Sequence, residues 1–134
     1  MLKTKSILEL QNESDGLRIS IMSRHHWQSE IIKYTNINKI NSQLYDLWWK
    51  ELAPSENLVG DLYKRQLPWN QFERRYLLEM STPNALKKIK NLAHQSLTET
   101  ITLLCLEKSP KYCHRRILAE ECQKYEPSLI LKIR

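Results

Sequence analysis

The chain has 134 residues, of which 41% are hydrophobic and 27% charged, as expected for one globular domain. No apolar run has the length of a membrane span, and the start Met1–Lys5 lacks the apolar segment of a signal peptide. We therefore expect a single domain over residues 1–134, cytoplasmic and without membrane association. Its three cysteines are expected to be reduced.

The net charge is +6 at pH 7 and the isoelectric point is about 9.3. A basic excess of this kind suits a phosphate-bearing ligand or a nucleic acid as partner. The basic residues are spread along the chain, however, so the charge alone does not define a binding surface. The presence of only two glycines excludes a glycine-rich phosphate loop.

The N-terminal segment has the pattern of two strands, Thr4–Leu10 and Leu17–Met22, with turn-forming residues over 12–16 between them. The polar stretch from Ser23 to Ser42 predicts a long loop with one short helix around Gln28–Tyr34. Loops of this length in compact domains often form lids or binding loops.

Four helices are predicted next, each from its apolar spacing and its start signal. The first covers Leu44–Leu52 and ends before Pro54. The second is capped by Ser55, the third opens at Pro68, and the fourth begins at Thr82-Pro83.

The next segment predicts a strand that is buried on both faces, Ile101–Cys105, followed by a helix that starts at Ser109-Pro110. Residues 128–133 predict a final strand. The fold class is therefore α/β, a small and mostly parallel sheet of about four strands with helices packed on it. Open sheets of this class bind ligands at the carboxyl ends of their strands.

The predicted helix start after Ile101–Cys105 has the wrong charge for a helix N-terminus. Such a terminus favours carboxylates, yet four cations surround this one: Lys108, Lys111, Arg115 and Arg116. A bound anion would turn this unfavourable arrangement into a favourable one. Solvated side chains that point outward are the alternative, and we favour the anion site because Cys113 and His114 lie in the same segment.

The three cysteines have different interpretations. A thiol at a helix N-terminus beside arginine and histidine is activated, which favours a site role for Cys113. Cys105 is as well explained by core packing as by a site role, and Cys122 is expected in the core. Cys105, Cys113 and His114 with a histidine at 25 or 26 are candidate zinc ligands, but their spacing matches no compact zinc motif. We therefore predict no cofactor.

Two further groups of residues are candidates for binding an anion. Arg24 and His25 follow directly after the second strand, at the same predicted edge of the sheet as Cys105. Lys64 and Arg65 lie in a stretch that alternates basic and aromatic residues, a pattern typical of surfaces that contact phosphates and stack on bases.

Short motifs follow one another along nearly the whole chain: Met22-Ser23-Arg24-His25, Leu44–Pro54, Tyr63–Trp69, Phe72–Tyr76, Leu103–Lys108 and Cys113-His114-Arg115. In this order they resemble the family called domain of unknown function 488. The resemblance implies a single α/β domain and assigns no reaction. It also implies that the characteristic Cys-His-Arg of the family stands at Cys113, His114 and Arg115, with the strand-end cysteine at Cys105.

These observations lead to one hypothesis and one alternative. The hypothesis is a phosphate or nucleotide site built from Cys113, His114, Arg115 and Arg24, in an enzyme acting on nucleotides or nucleic acid. Cys113 would be a nucleophile or redox thiol, His114 a base and the arginines anion clamps. A phosphatase is disfavoured, because Lys111 stands where its arginine would follow Cys105. The alternative is a non-catalytic nucleic-acid-binding module that uses Lys64, Arg65, Arg74 and Arg75.

Overall fold

The computed structural model describes residues 1–25 and 41–134, which form a sheet of five parallel strands and four α-helices. The strands are β1 (Leu2–Ser6), β2 (Leu17–Ser20), β3 (Leu47–Trp48), β4 (Ile101–Cys105) and β5 (Leu131–Lys132). The helices are α1 (Glu56–Lys64), α2 (Trp69–Glu79), α3 (Pro83–Gln95) and α4 (His114–Tyr125). The predicted helix at Gln28–Tyr34 and most of the predicted loop lie outside the described residues.

The strand order is β3-β2-β4-β1-β5, so β4 is the central strand. It pairs in parallel with β1 on one side and with β2 on the other, and Cys105 lies beside Ser6. All five residues of β4 are buried, as predicted from a run that is apolar except for Thr102. The predicted α/β class with a parallel sheet is therefore confirmed.

One face of the sheet packs against the helices. Alternate strand residues point to this face, among them Leu2, Ile19, Ile101 and Leu103, and all four are fully buried. They belong to the same apolar core as residues of α2, α3 and α4: Phe72, Tyr76, Ile89, Leu92, Ile117, Leu118 and Cys122. The core position predicted for Cys122 is thus confirmed.

The opposite face of the sheet contains buried charge. Lys5 on β1 forms an ion pair of 2.9 Å with Asp15, and both side chains are almost fully buried. Thr102 on β4 donates a hydrogen bond of 2.6 Å to the Asp15 carbonyl. Burial opposes the ionisation of Asp15, but Lys5 and the Asn12 N–H hold the pKa of this carboxyl below its usual value. This network fixes the β1–β2 connection across the strands.

Helices α1, α2 and α3 confirm three of the predicted helices. The Ser55 hydroxyl accepts the Leu58 N–H at the start of α1, and the Thr82 hydroxyl accepts the Ala85 N–H at the start of α3. Pro68 directly precedes α2. Side-chain caps of this kind satisfy N–H groups that have no partner inside a helix.

The predicted helix over Leu44–Leu52 is wrong. This segment forms the edge strand β3 and a short 3₁₀ helix, Lys50–Leu52. Leu47 pairs with Ile19 of β2, and the neighbouring Asp46 carboxylate forms an ion pair with Arg18. The helical spacing of the leucines was misleading, because long-range pairing with β2 decides the structure of this segment.

The predicted helix start at Ser109-Pro110 is also wrong, since α4 begins at His114 with Cys113 as its N-cap residue. The Ser109 hydroxyl accepts the Lys111 N–H, and the Pro110 carbonyl accepts the Cys113 N–H, so the chain forms turns up to Cys113. The strands are shifted or shorter than predicted as well. β1 ends at Ser6 rather than at Leu10, and β2 ends at Ser20 rather than at Met22. The last strand covers only Leu131–Lys132 of the predicted range 128–133.

Candidate functional site

Three side chains meet at the carboxyl end of β4 and form what we call the Cys–Cys–His cluster: Cys105, Cys113 and His114. Cys105 is the last residue of β4, and the other two lie at the N-terminus of α4. The two Sγ atoms and a ring nitrogen all lie within 4.8 Å of one another. Cys105 and His114 are each 7% exposed and Cys113 is 2% exposed, so the cluster is almost shielded from solvent.

A hydrogen bond to the main-chain oxygen of Ile21, the residue after β2, orients the His114 ring. Nε2 lies 2.7 Å from the carbonyl oxygen of Ile21, which can only accept, so Nε2 must bear a proton. In the neutral ring, Nδ1 is then the basic nitrogen, and it lies 3.8 Å from Cys105 Sγ. The Tyr76 ring contacts His114 edge to face at 5.4 Å, and the Tyr76 hydroxyl donates to the Leu52 carbonyl. The base is therefore held toward Cys105.

The pKa values of the two thiols of the cluster are shifted in opposite directions. A hydrogen bond from Cys113 lowers the pKa of Cys105 against the effect of burial, with help from the Arg115 charge and the Leu106 N–H. Burial raises the pKa of Cys113 well above its usual value, and the neighbouring Cys105 raises it further. The opposite shifts make Cys105 the more acidic of the two thiols.

Arg115 lies behind the cluster and is fully buried. Its guanidinium donates to the main-chain oxygens of Glu107 at 2.7 Å, Lys108 at 3.2 Å and Arg134 at 2.9 Å. Within the described residues, no side-chain carboxylate pairs with it. Arg115 therefore holds the loop between β4 and α4 in place. Its positive charge also contributes to the lowered pKa of Cys105.

The chain that follows β2 lies beside the cluster, because Ile21 accepts the hydrogen bond from His114. His25 is buried there, its Nε2 is 2.7 Å from the Ser20 hydroxyl, and its ring packs against Trp48 at 3.9 Å. Arg24 is exposed. The ends of β2 and β4 thus meet at one edge of the sheet.

The loop from 106 to 112 has an exposed rim of aromatic and basic side chains. Tyr63 from the end of α1 donates a hydrogen bond to the Glu107 carboxylate. Tyr112 is 56% exposed, and the Lys111 ammonium lies 5.2 Å from the centre of its ring. Lys108 is exposed as well. Lys108, Lys111 and Tyr112 of this rim belong to the loop that connects Cys105 to Cys113.

The other predicted anion-binding residues differ in how they are paired. Arg65 forms an ion pair with Asp61, and so does Arg75 at 2.7 Å. Arg116 pairs with Glu120 at 2.8 Å and lies 3.8 Å from Glu73. Lys64 is exposed and, in the part of the chain that the structure describes, forms no ion pair.

Sequence reasoning missed two contacts that shape the site. The Ile21 carbonyl is a main-chain group, and no residue type signals its role toward His114. The bond from Tyr63 to Glu107 joins residues 44 positions apart, and no pattern in the sequence predicts it.

The fold and the site define a class of protein: an α/β protein with one parallel sheet in its described part and a Cys–Cys–His cluster at the carboxyl edge of the central strand. The model of the active DUF488-N3 subclade matches residues 2–126, and the chain therefore belongs to the DUF488 family. The resemblance inferred from the sequence motifs is thereby confirmed. Comparisons with curated proteins and with solved structures find no significant match. No helix among the described residues is long and apolar enough to span a membrane.

Proposed function

We propose that this protein is a cysteine-dependent enzyme acting on a phosphate-bearing substrate, a nucleotide or a nucleic acid, in the cytoplasm. Cys105 is the nucleophile and His114 its general base. The observation that supports this most directly is the distance of 3.8 Å between Cys105 Sγ and His114 Nδ1, with Nε2 held by the Ile21 carbonyl. A thiol beside an oriented imidazole is the arrangement that activates cysteine nucleophiles.

The geometry favours Cys105 over Cys113 as the nucleophile, although the sequence alone points to Cys113. Cys105 Sγ lies 3.8 Å from His114 Nδ1, whereas burial raises the pKa of Cys113 and makes it the weaker nucleophile near neutral pH. In the proposed reaction, Nδ1 takes the Cys105 proton and Sγ attacks an electrophilic centre of the substrate. The leaving group departs with the proton from Nδ1, and water then hydrolyses the covalent intermediate with His114 again as base.

The preference for an anionic substrate rests on the rim of the site. Lys108 and Lys111 of this rim are exposed, Arg24 is exposed on the chain that follows β2, and the N-terminus of α4 lies at the cluster. Tyr112 offers an exposed ring on which a base can stack. The description of the matched subclade as active also supports a catalytic protein.

A thiol titration tests the nucleophile. The reduced protein is alkylated with iodoacetamide over a range of pH, and the modified cysteine is identified by peptide mass spectrometry. We expect Cys105 to react first, with an apparent pKa below the value of about 8.5 for a free cysteine. Cys122→Ala is the matched control and leaves this profile unchanged, because Cys122 is a core residue. Equal reaction of Cys105 and Cys113, or a profile like that of free cysteine, would contradict the assignment.

Binding assays with AMP and with single-stranded oligonucleotides at low salt test the substrate class. Lys111→Glu is expected to weaken binding roughly tenfold through lost phosphate contact, whereas Lys87→Glu on the exposed side of α3 changes the net charge equally without that loss. Equal effects of the two substitutions would show that only net charge matters.

The alternative, a non-catalytic nucleic-acid-binding module, has less support from the structure. Two of the four basic residues predicted for that surface, Arg65 and Arg75, share Asp61 as an ion-pair partner, which reduces the local positive charge. The same assay separates the two proposals. A binding module retains full affinity in Lys111→Glu and loses it in Lys64→Glu, while an enzyme with its site at the cluster behaves in the opposite way.

A further inference from the structure

We propose that Cys105 and Cys113 form a redox pair: a hydroperoxide oxidises Cys105, and Cys113 then resolves the product as an intramolecular disulfide that a dithiol can reduce. This inference goes beyond the proposed function, because it requires a hydroperoxide and a dithiol but no phosphate-bearing substrate. It rests on that function in one respect only, the role of Cys105 as the reactive thiolate.

The positions of the two sulfur atoms support the pairing. They lie within 4.8 Å of each other, whereas a disulfide requires about 2 Å, so a modest approach is needed. Cys113 is the N-cap residue of α4 and has extended backbone angles, φ −140° and ψ 137°, outside the helical ladder. The connecting residues 106–112 form turns and bends and belong to no strand or helix. The approach therefore breaks no strand pairing or helix, and within the link Arg115 holds the carbonyls of Glu107 and Lys108, which leaves the turn before Cys113 to adjust.

The different protonation of the two thiols gives each its role. Cys105 has the lowered pKa and is the attacking thiolate. Burial raises the pKa of Cys113, so it keeps its proton while Cys105 is a thiolate. Once Cys105 is oxidised, that negative charge is gone. Cys113 then loses its proton more easily, and Nδ1 of His114 is near enough to accept it.

The two steps balance in atoms and electrons. The Cys105 thiolate attacks the terminal oxygen of the hydroperoxide and the O–O bond breaks. The alcohol (water, for hydrogen peroxide) leaves with the proton from Nδ1 of His114, and Cys105 becomes a sulfenic acid. Cys113 then gives its proton to Nδ1 and attacks Cys105 Sγ. The S–S bond forms, the S–O bond breaks, and hydroxide leaves as water with that proton. Two thiols are oxidised and one hydroperoxide is reduced.

Cys122 provides an internal control for this proposal. Its Sγ donates to the Ile89 carbonyl at 3.9 Å between α3 and α4, and burial raises its pKa to about 12. Although it is a cysteine of the same helix as His114, it has neither the acidity nor the neighbours that the reaction requires. Oxidation is therefore expected to leave Cys122 unchanged.

The experiment uses the full reduced chain, treated with one equivalent of hydrogen peroxide and then quenched with N-ethylmaleimide. Peptide mapping is expected to show loss of two of the three free thiols, joined as a disulfide between Cys105 and Cys113, and their recovery with dithiothreitol. In Cys113→Ser the reaction is expected to stop at the sulfenic acid, so that dimedone labels Cys105. Cys122→Ser is expected to behave like the parent protein.

Three outcomes would overturn the redox pair: no Cys105–Cys113 disulfide in the parent protein, a disulfide that involves Cys122, or stoichiometric metal bound to the cluster in the protein as purified. Mapping the parent protein does not depend on how well a variant folds. Alkylation by iodoacetamide separates the two proposals. If Cys105 is alkylated as a thiolate but no disulfide forms, only the redox pair fails. If Cys105 shows no enhanced reactivity, the proposed nucleophile fails with it.

Discussion

Two buried cations show how differently this chain uses positive charge. Lys5 is paired with the Asp15 carboxylate at 2.9 Å, on the face of the sheet opposite the helices. Arg115 is equally buried, and its acceptors within residues 1–25 and 41–134 are the main-chain oxygens of Glu107, Lys108 and Arg134. The first charge is neutralised and fixes a connection between strands. No carboxylate side chain in the described part of the chain pairs with the second, and its charge contributes to the lowered pKa of Cys105.

A buried cation can therefore stabilise the fold, as Lys5 does, or change the pKa of a neighbouring thiol, as Arg115 does. A paired charge projects little field beyond its partner, whereas a charge without a carboxylate side chain beside it still acts on a neighbouring thiol. We therefore expect substitutions in the Lys5–Asp15 pair to change stability alone. Substitutions at Arg115 are expected to change stability and thiol reactivity together.

The largest effect is expected from Asp15→Asn. The substitution leaves Lys5 buried beside a neutral amide, so the free energy of unfolding should fall by about 3 kcal/mol, measured by urea denaturation. Asp46→Asn is the control, because its pair with Arg18 is more exposed and should cost less than about 1 kcal/mol. The alkylation profile of Cys105 should stay as in the parent protein. A shift of that profile would contradict the separation of the two regions.

Arg115→Met should have the next largest effect on stability, a loss of about 2 kcal/mol, because the buried carbonyls of the β4–α4 loop lose their donor. It should also move the alkylation profile of Cys105 to higher pH. Arg115→Lys retains the charge with fewer hydrogen bonds, so it should keep the profile lower than Arg115→Met does. The exposed Arg74→Met should change neither quantity. If both Arg115 variants alkylate like the parent protein, the charge has no role at the thiol.

His114→Asn sharpens the comparison at the site itself. Asparagine keeps a donor for the Ile21 carbonyl but removes the base, so alkylation of Cys105 at pH 7 should slow roughly tenfold, which corresponds to about one pKa unit. The rate is measured with iodoacetamide under pseudo-first-order conditions. His94→Asn, a substitution of the exposed histidine of α3, should leave the rate unchanged. An equal loss in both variants would exclude a specific role for His114.

The smallest expected effect is a dependence of stability on acid pH through Asp15. The pKa of this carboxyl is lowered in the folded protein. Its contribution is therefore fully present above the unfolded value of about 3.9, and it is lost as the pH falls through the folded value. The free energy of unfolding of the parent protein should decline more steeply below about pH 4 than that of Asp15→Asn. Parallel pH profiles would show that Asp15 has no shifted pKa.

Much of the fold is predictable from local signals. The apolar run Ile101–Cys105 predicts a central buried strand, and the caps at Ser55 and Thr82 locate α1 and α3 within a few residues. These features depend on neighbours in the chain, which a sequence displays directly. The short motifs also identify the family that the model match over residues 2–126 shows.

The segments that could not be predicted depend on distant partners. Leu47 and Trp48 have the spacing of a helix, yet pairing with Ile19 and Ser20 of β2 makes them a strand. The helix predicted to start at Ser109 begins instead at His114, after a segment of turns. His114 is the residue whose ring binds the Ile21 carbonyl beside the sheet. Hydrogen bonds to another element outweigh local preferences of a few tenths of a kcal/mol per residue.

The sequence by itself determined the α/β class, the family and the chemical types at the edge of the sheet: two cysteines, a histidine and several cations. Only the tertiary structure decided what those groups do. The hydrogen bond of His114 to the Ile21 carbonyl turns Nδ1 toward Cys105. Arg115 binds carbonyls of the β4–α4 loop, and Arg65 and Arg116 form ion pairs with carboxylates. The physical reason is that residue type sets which interactions are available, whereas protonation and charge depend on the groups that folding brings within a few ångströms.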